Sequence, residues 1–232
     1  MAGSLWIVTC EHGGNHVPAR YAKLFSVPSK VLASHRGHDP GALVLAKQFA
    51  RVGSLPLFFS TTTRLLVELN RSLHHPSLFS EYARSLPDSF KEELIDGHYR
   101  PYRDAVVKKI EKMLDVAGSV IHLSAHSFTP VFHGETRRCD VGFLYDPRRP
   151  MELEVCDRWR VALAKLRPDL ILRRNYPYQG KSDGFTTFLR KVFPADRYAG
   201  IELEVNQRWL LGDKKEWRRL RQSLVTSRPA SL

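Results

Sequence analysis

The sequence predicts an α/β sandwich built on a largely parallel sheet. Three observations point there. Short runs rich in β-forming residues recur along the chain, segments with apolar residues at helical spacing lie between several of them, and polar residues gather where the runs end. Alternation of this kind marks βα units. Sheets made from such units carry their sites beyond the carboxyl ends of the strands. The 232 residues, 43% hydrophobic, are read as a single domain spanning 1–232, without internal repeats or low-complexity tracts.

Six strands are expected, at Leu5–Cys10, Leu55–Ser60, Ser119–Ala125, Val141–Tyr145, Leu170–Arg174 and Gly200–Val205. A helix is expected over Gly41–Val52, where Leu43, Ala46, Phe49 and Ala50 share a face. Another covers Tyr102–Val116 through Val106, Ile110, Met113 and Leu114. Met151–Leu166 and Arg208–Val225 show similar patterns, and a shorter helix over Thr187–Phe193 begins near Asp183. The stretch Arg71–Arg100 has little periodicity and several Pro and Ser residues. It reads as a long excursion over one side of the site, not as a linker.

Composition narrows the function classes. No run of eighteen apolar residues exists, so no membrane span is expected. The start, MAGSLWIVTCEHGG, lacks the basic and long apolar regions of a signal peptide, and a cytoplasmic location is expected. Cys10, Cys139 and Cys156 are odd in number and widely spaced, which fits reduced buried thiols and neither a disulfide framework nor a zinc knuckle. Cys10 stands beside Glu11, and a neighbouring carboxylate raises a thiol pKa, which disfavours a nucleophilic role. The net charge of +12 favours anionic partners. The positive residues are scattered, however, and their densest cluster, Lys214, Lys215, Arg218, Arg219 and Arg221, reads as a solvated helix face. With no zinc finger, RNP-like motif or basic arm, a small anionic substrate is expected and nucleic acid is not.

The chemistry concentrates at strand ends. LWIVTC runs directly into Glu11-His12-Gly13-Gly14-Asn15-His16, placing an imidazole at a strand exit among glycines that let the backbone turn sharply. SVIHLSAHS puts His122, Ser124 and His126 on one face, with His126 at the exit and His122 deeper, as a core histidine would be. GIELEVNQR puts Glu202, Glu204 and Asn206 on one face. Buried carboxylates there cost several kcal/mol each unless paired, protonated or metal-linked, and the alternative is an edge strand with a solvated face. Asp39 in SHRGHDPGA either caps the next helix or faces the same rim as His12.

The ordered segments CEHGGNHVP, HRGHDPGA, TRLLVELNRS, HYRPYRDAV, HLSAHSF and IELEVNQRWL resemble the N-formylglutamate amidohydrolase family, in its broad branch, over about Cys10 to Leu210. The resemblance implies a three-layer α/β/α sandwich around a mixed, mostly parallel sheet, similar to zinc carboxypeptidases and aspartoacylase. It implies one catalytic metal, zinc first, with His12 and His126 as ligands and Glu204 as general base. Asn70 and Arg71 match an Asn-Arg pair that holds substrate carbonyl and carboxylate groups, and Arg offers a planar fork for a carboxylate. The residue three after His12 is Asn15, where the peptidases have Glu, so a third ligand comes from Asp39 or Glu11; Asp39 is preferred. Cys10-Glu11 and Pro177-Tyr178-Gln179-Gly180 depart from the pattern of the family's deformylases.

The expected activity is therefore hydrolysis of the amide of an N-acyl amino acid such as N-formylglutamate. Glu204 would move the proton, and Arg64 or Arg71 would stabilise the oxyanion. Manganese or iron would also accept this ligand set. A binding protein that uses the same fold to hold an anion is the alternative, and a cysteine hydrolase built on Cys10 is a third reading. Tyr99, Tyr102 and Arg103 are further candidates for the substrate wall.

Overall fold

The computed structural model describes residues 3–230. Its centre is a six-stranded sheet in the order β2-β1-β3-β8-β6-β7, made of β1 (Ser4–Cys10), β2 (Leu57–Phe59), β3 (Ser119–Phe128), β6 (Val141–Leu144), β7 (Leu172–Arg174) and β8 (Tyr198–Asn206). All neighbours pair in parallel except β6 with β8, so the sheet is mixed and mostly parallel, as expected. A small hairpin, β4 (Val131–Phe132) and β5 (Glu135–Thr136), leaves the end of β3.

Alternation along each strand sends side chains to two faces, and helices cover both. On one face Trp6, Val8, Ile121, Leu123, Ile201 and Leu203 pack in one core with residues of α2 (Ala42–Gly53), α5 (Pro150–Leu166) and α8 (Lys214–Ser227). On the other face Ile7, Val120 and Tyr198 pack with Val106, Ile110 and Met113 of α4 (Arg100–Leu114) and with Phe185 and Leu189 of α6 (Phe185–Val192). The result is the expected α/β/α sandwich. Among the described residues, no helix is long and apolar enough to cross a membrane.

A separate apolar cluster lies in the loops. It gathers Tyr21 and Phe25, then Leu65, Leu66, Val67 and Leu69, and Leu78, Phe90, Leu94 and Tyr99. The short α1 (Ser29–Leu32) contributes Val31 and Leu32 to its edge. Two expectations change here. Part of the 71–100 excursion is helical: α3 (Asp88–Leu94) runs through a π turn at Ile95–Tyr99 into α4, with Phe90 and Leu94 buried one turn apart. The expected helix Arg208–Val225 is two helices, α7 (Arg208–Leu211) and α8. Gly212 ends the first, and the side chain of Asp213 accepts from the amides of Lys215 and Glu216 to start the second.

Candidate active site

The order β1-β3-β8 brings three strand ends together. His126 stands opposite Glu204 in the β3–β8 register, and β1 pairs with β3 on the other side. His12 lies just beyond the end of β1, and the amide of Asp39 donates to its carbonyl (2.9 Å). Gly14 permits this turn: a Cβ there would come within 2.7 Å of the Thr61 carbonyl oxygen. Gly41, at φ +83°, makes the second turn, which leads from Asp39 into α2. The Asp39 side chain does not cap α2; it faces His12 and His126.

His12, Asp39 and His126 each present one atom to a common point, all within 4.8 Å of one another, and all three side chains are buried. Asp39 Oδ2 lies 3.2 Å from His12 Nδ1 and 2.8 Å from His126 Nδ1. The far nitrogens are occupied. Nε2–H of His12 donates to Glu68. The Ser124 hydroxyl donates to Glu11 Oε2 (2.6 Å), so its oxygen accepts from His126 Nε2–H (2.8 Å). Each histidine thereby keeps Nδ1 for the shared point, an arrangement typical of metal-ligating imidazoles.

The charges reinforce one another. Burial disfavours the charge of His126, but hydrogen bonds and fields from Asp39 and Glu11 outweigh it and hold the imidazole well above its ordinary range. For His12, burial and Arg64 work against the charge; Glu68 and Asp39 prevail, and its pKa is raised. Burial also opposes the Asp39 charge, yet the neighbouring histidines and Arg64 hold its carboxyl well below the usual range. Glu204 is the exception. Burial pushes its carboxyl up to about 7, the fields of Asp39 and Glu202 add to that rise, and His126 counters it. Its Oε2 is buried without a hydrogen-bond partner among the described residues.

Arg64, Asn70 and Arg71 line the same cavity, of about 310 Å³. Asn70 Oδ1 accepts from the Phe185 amide (2.6 Å), which turns the NH2 group away from that contact. Arg71 Nη1 donates to the Asp183 carbonyl (2.5 Å). Arg64 donates from Nε to Glu68 Oε2 (2.6 Å) and from Nη1 to Asp39 Oδ1 (3.2 Å), so it clamps two carboxylates of the site. Glu11 is not at the shared point. It faces Ser124 and Tyr102, whose hydroxyl donates to it (3.0 Å). Tyr99 and Arg103 turn away from the cavity and donate to the Arg71 carbonyl. His122 is a core residue, held between Thr9 (2.7 Å) and Tyr198 (2.7 Å).

A model of the N-formylglutamate amidohydrolase family matches residues 4–211. The chain belongs to that family. Membership places it among hydrolases of amide bonds. Two crystal structures share its fold. One is a gene product of Agrobacterium tumefaciens, 24% identical, with a TM-score of 0.80 over 97% of this chain and 91% of that one. The other is an N-formylglutamate amidohydrolase from Ralstonia eutropha JMP134, 19% identical, with a TM-score of 0.76 over 97% of this chain and 92% of that one. No functionally curated protein matches the sequence.

Several site residues were not singled out by sequence reasoning. Glu68 lies within TRLLVELNRS, four residues after Arg64, and the acid–base spacing is its one sequence signal. Ser124 shares a face with His126 but carries no sign of its link to Glu11. Tyr178, Gln179, Ser182 and Asp183 complete the cavity wall from a loop without periodicity. Glu202 lies further back along β8 than Glu204 yet is the more exposed of the two, and both line the cavity. β8 is also an interior strand, which removes the solvated-edge explanation of its carboxylates.

Proposed function

We propose that this protein is a metal-dependent amidohydrolase acting on an N-acyl amino acid, the class to which N-formylglutamate belongs. One observation carries the reading: two histidine Nδ1 atoms and one Asp39 oxygen converge beside a buried carboxylate, Glu204, that has an oxygen unpaired among the described residues. Two nitrogens and one oxygen suit zinc, one ion per chain; manganese or iron would accept the same donors. Fit also follows from the second contacts, since Glu68 and the Ser124–Glu11 pair hold the Nε2 protons and leave Nδ1 to coordinate. When bound, such an ion acidifies water and polarises the amide carbonyl.

The chain's own residues do the rest. Glu204, with its pKa raised to about 7, takes a proton from the attacking water and returns it to the departing amine. Asn70 donates to a substrate carbonyl, and Arg71 holds a carboxylate with the nitrogens not used on Asp183. Arg64 fixes Asp39 and Glu68, and an N–H left free on its terminal nitrogens can face a developing oxyanion. The alternative, a protein that only holds an anion, has no use for an unpaired buried carboxylate beside the ligands.

The test is amine release from a panel of N-acyl amino acids, with N-formylglutamate included, after chelation and after adding back zinc. Release restored by zinc supports the proposal. Release that ignores chelation, or none from any member of the panel, contradicts it.

A further inference from the structure

The cavity wall is uneven in charge. His12, Asp39, His126, Glu204 and Arg64 all belong to it, and Arg64 is paired to Asp39 and to Glu68 behind the wall. The remaining charged groups are Arg71, Asp183 and Glu202, one cation against two carboxylates. His35 adds no charge: burial, with Arg64 and Arg137 nearby, keeps its pKa below the ordinary value.

Both carboxylates keep oxygens free. Glu202 Oε1 accepts from the Thr186 hydroxyl (2.6 Å), and Asp183 Oδ2 accepts from the Ser72 amide (3.0 Å). Neither forms an ion pair among the described residues. Arg190, whose charge lies near Glu202, is committed to Glu152 (2.9 Å) and to the carbonyls of Gly180 (2.6 Å) and Gly200 (2.8 Å). Glu202 stands opposite Ser124 in the register, one pleat repeat (about 7 Å) from Glu204 on the same face. A substrate whose amide sits between the ligands and Glu204 therefore has Glu202 within reach of its side chain.

We infer that this cavity selects N-acyl amino acids whose side chains donate hydrogen bonds or carry positive charge, and that Glu202 is the residue that selects them. The inference rests on the amidohydrolase reading for the placement of the amide. The physical reason is charge balance. Arg71 can satisfy one substrate carboxylate. A second carboxylate, as in a glutamate side chain, would meet Glu202 and Asp183 with no further unpaired cation in the lining to offset them, since Arg64 is held by Asp39 and Glu68 and Arg137 stands behind Tyr178, and like charges brought together in a pocket discriminate strongly. An amide or ammonium group would instead donate to the free oxygens.

The experiment compares N-formylglutamate, N-formylglutamine and N-formyllysine in two measurements on zinc-loaded protein: kcat/KM with the wild type, and equilibrium binding with Glu204→Gln. The glutamine and lysine derivatives should exceed the glutamate derivative by about tenfold or more in both. Glu202→Gln, nearly isosteric, should bring the glutamine and glutamate derivatives close to parity while weakening the lysine derivative. A preference for the glutamate derivative, no preference, no binding of any of the three, or an unchanged ranking in Glu202→Gln overturns the inference. Turnover of the glutamate derivative in preference to the others would do so while leaving the hydrolase reading intact. Selective binding without turnover would uphold the inference and refute the hydrolase reading.

Discussion

Glu204 stands opposite His126 on the adjacent parallel strand, both are almost fully buried, and Oε2 of Glu204 has no hydrogen-bond partner among the described residues. A carboxylate placed beside the ligands without joining them is suited to move protons. Glu204→Gln keeps the shape but cannot take a proton at neutral pH. It should retain bound metal and lose about 100- to 10,000-fold in turnover. Near-normal hydrolysis by this variant would remove Glu204 from the mechanism. Loss of metal from it, with retention by Asp39→Ala, would exchange the two roles.

The same burial predicts a pH signature in the metal-free protein. The Glu204 carboxyl is raised in the fold from 4.5 to about 7, so folding favours its protonated form. That contribution is fully present below about pH 4.5 and is lost as pH rises through about 7. At about 1.4 kcal/mol per pH unit, the loss is on the order of 3 kcal/mol. Glu204→Gln does not titrate, so it should gain stability relative to the wild type between pH 5 and pH 8. Urea midpoints at the two pH values measure this, and an equal difference at both would contradict it.

The paired contacts on Nε2 predict a graded effect on metal affinity. His126→Ala and Asp39→Ala remove donors and should abolish most binding. Glu11→Gln and Glu68→Gln disturb only the groups that orient the histidines, and should weaken affinity by about 10- to 100-fold. Because Asp39 and the neighbouring carboxylates hold His126 and His12 above their ordinary pKa, a metal ion must displace their Nδ1 protons. Calorimetry in buffers of different ionisation enthalpy should show about one to two protons released per ion at pH 7. Zero release would be inconsistent with this ligand set.

Arg71 should recognise the substrate carboxylate. Arg71→Ala should weaken N-acyl amino acids by about 1.5–3 kcal/mol, the usual value of a charge-assisted hydrogen bond, and affect their uncharged amides much less. Equal losses on acid and amide would assign Arg71 to holding Asp183 instead.

Thiol chemistry offers a negative control. Cys10, Cys139 and Cys156 are buried, and burial raises the pKa of each. Alkylation of the native protein should leave hydrolysis intact. Inactivation matched by modification of Cys10 would revive the cysteine-hydrolase reading.

Much of this arrangement was legible in the sequence, for identifiable reasons. Strand runs that end in His12 and His126 carry local signals, and parallel pairing of β1 with β3 necessarily brings such ends together. Glu202 and Glu204 alternate with apolar residues, so their shared face could be read directly. The pairing of Glu68 with His12 and Arg64 could not, because it depends on how a loop folds back over β1. The exposure of Glu202 could not be read for a similar reason: position along a strand does not reveal where a cavity opens. The break at Gly212–Asp213 was hidden because α7 and α8 together preserve a helical apolar pattern. The helical stretch from Asp88 to Tyr99 was obscured by the Pro and Ser residues that precede it and by a π turn that shifts its period.

The most direct test of the account is the metal content of catalytically active protein, by elemental analysis of the wild type and of His126→Ala alongside amine release. The account predicts about one zinc-like ion per wild-type chain, little or none in the variant, and amine release that tracks metal content across both. Wild-type protein that hydrolyses an N-acyl amino acid while free of metal would contradict it.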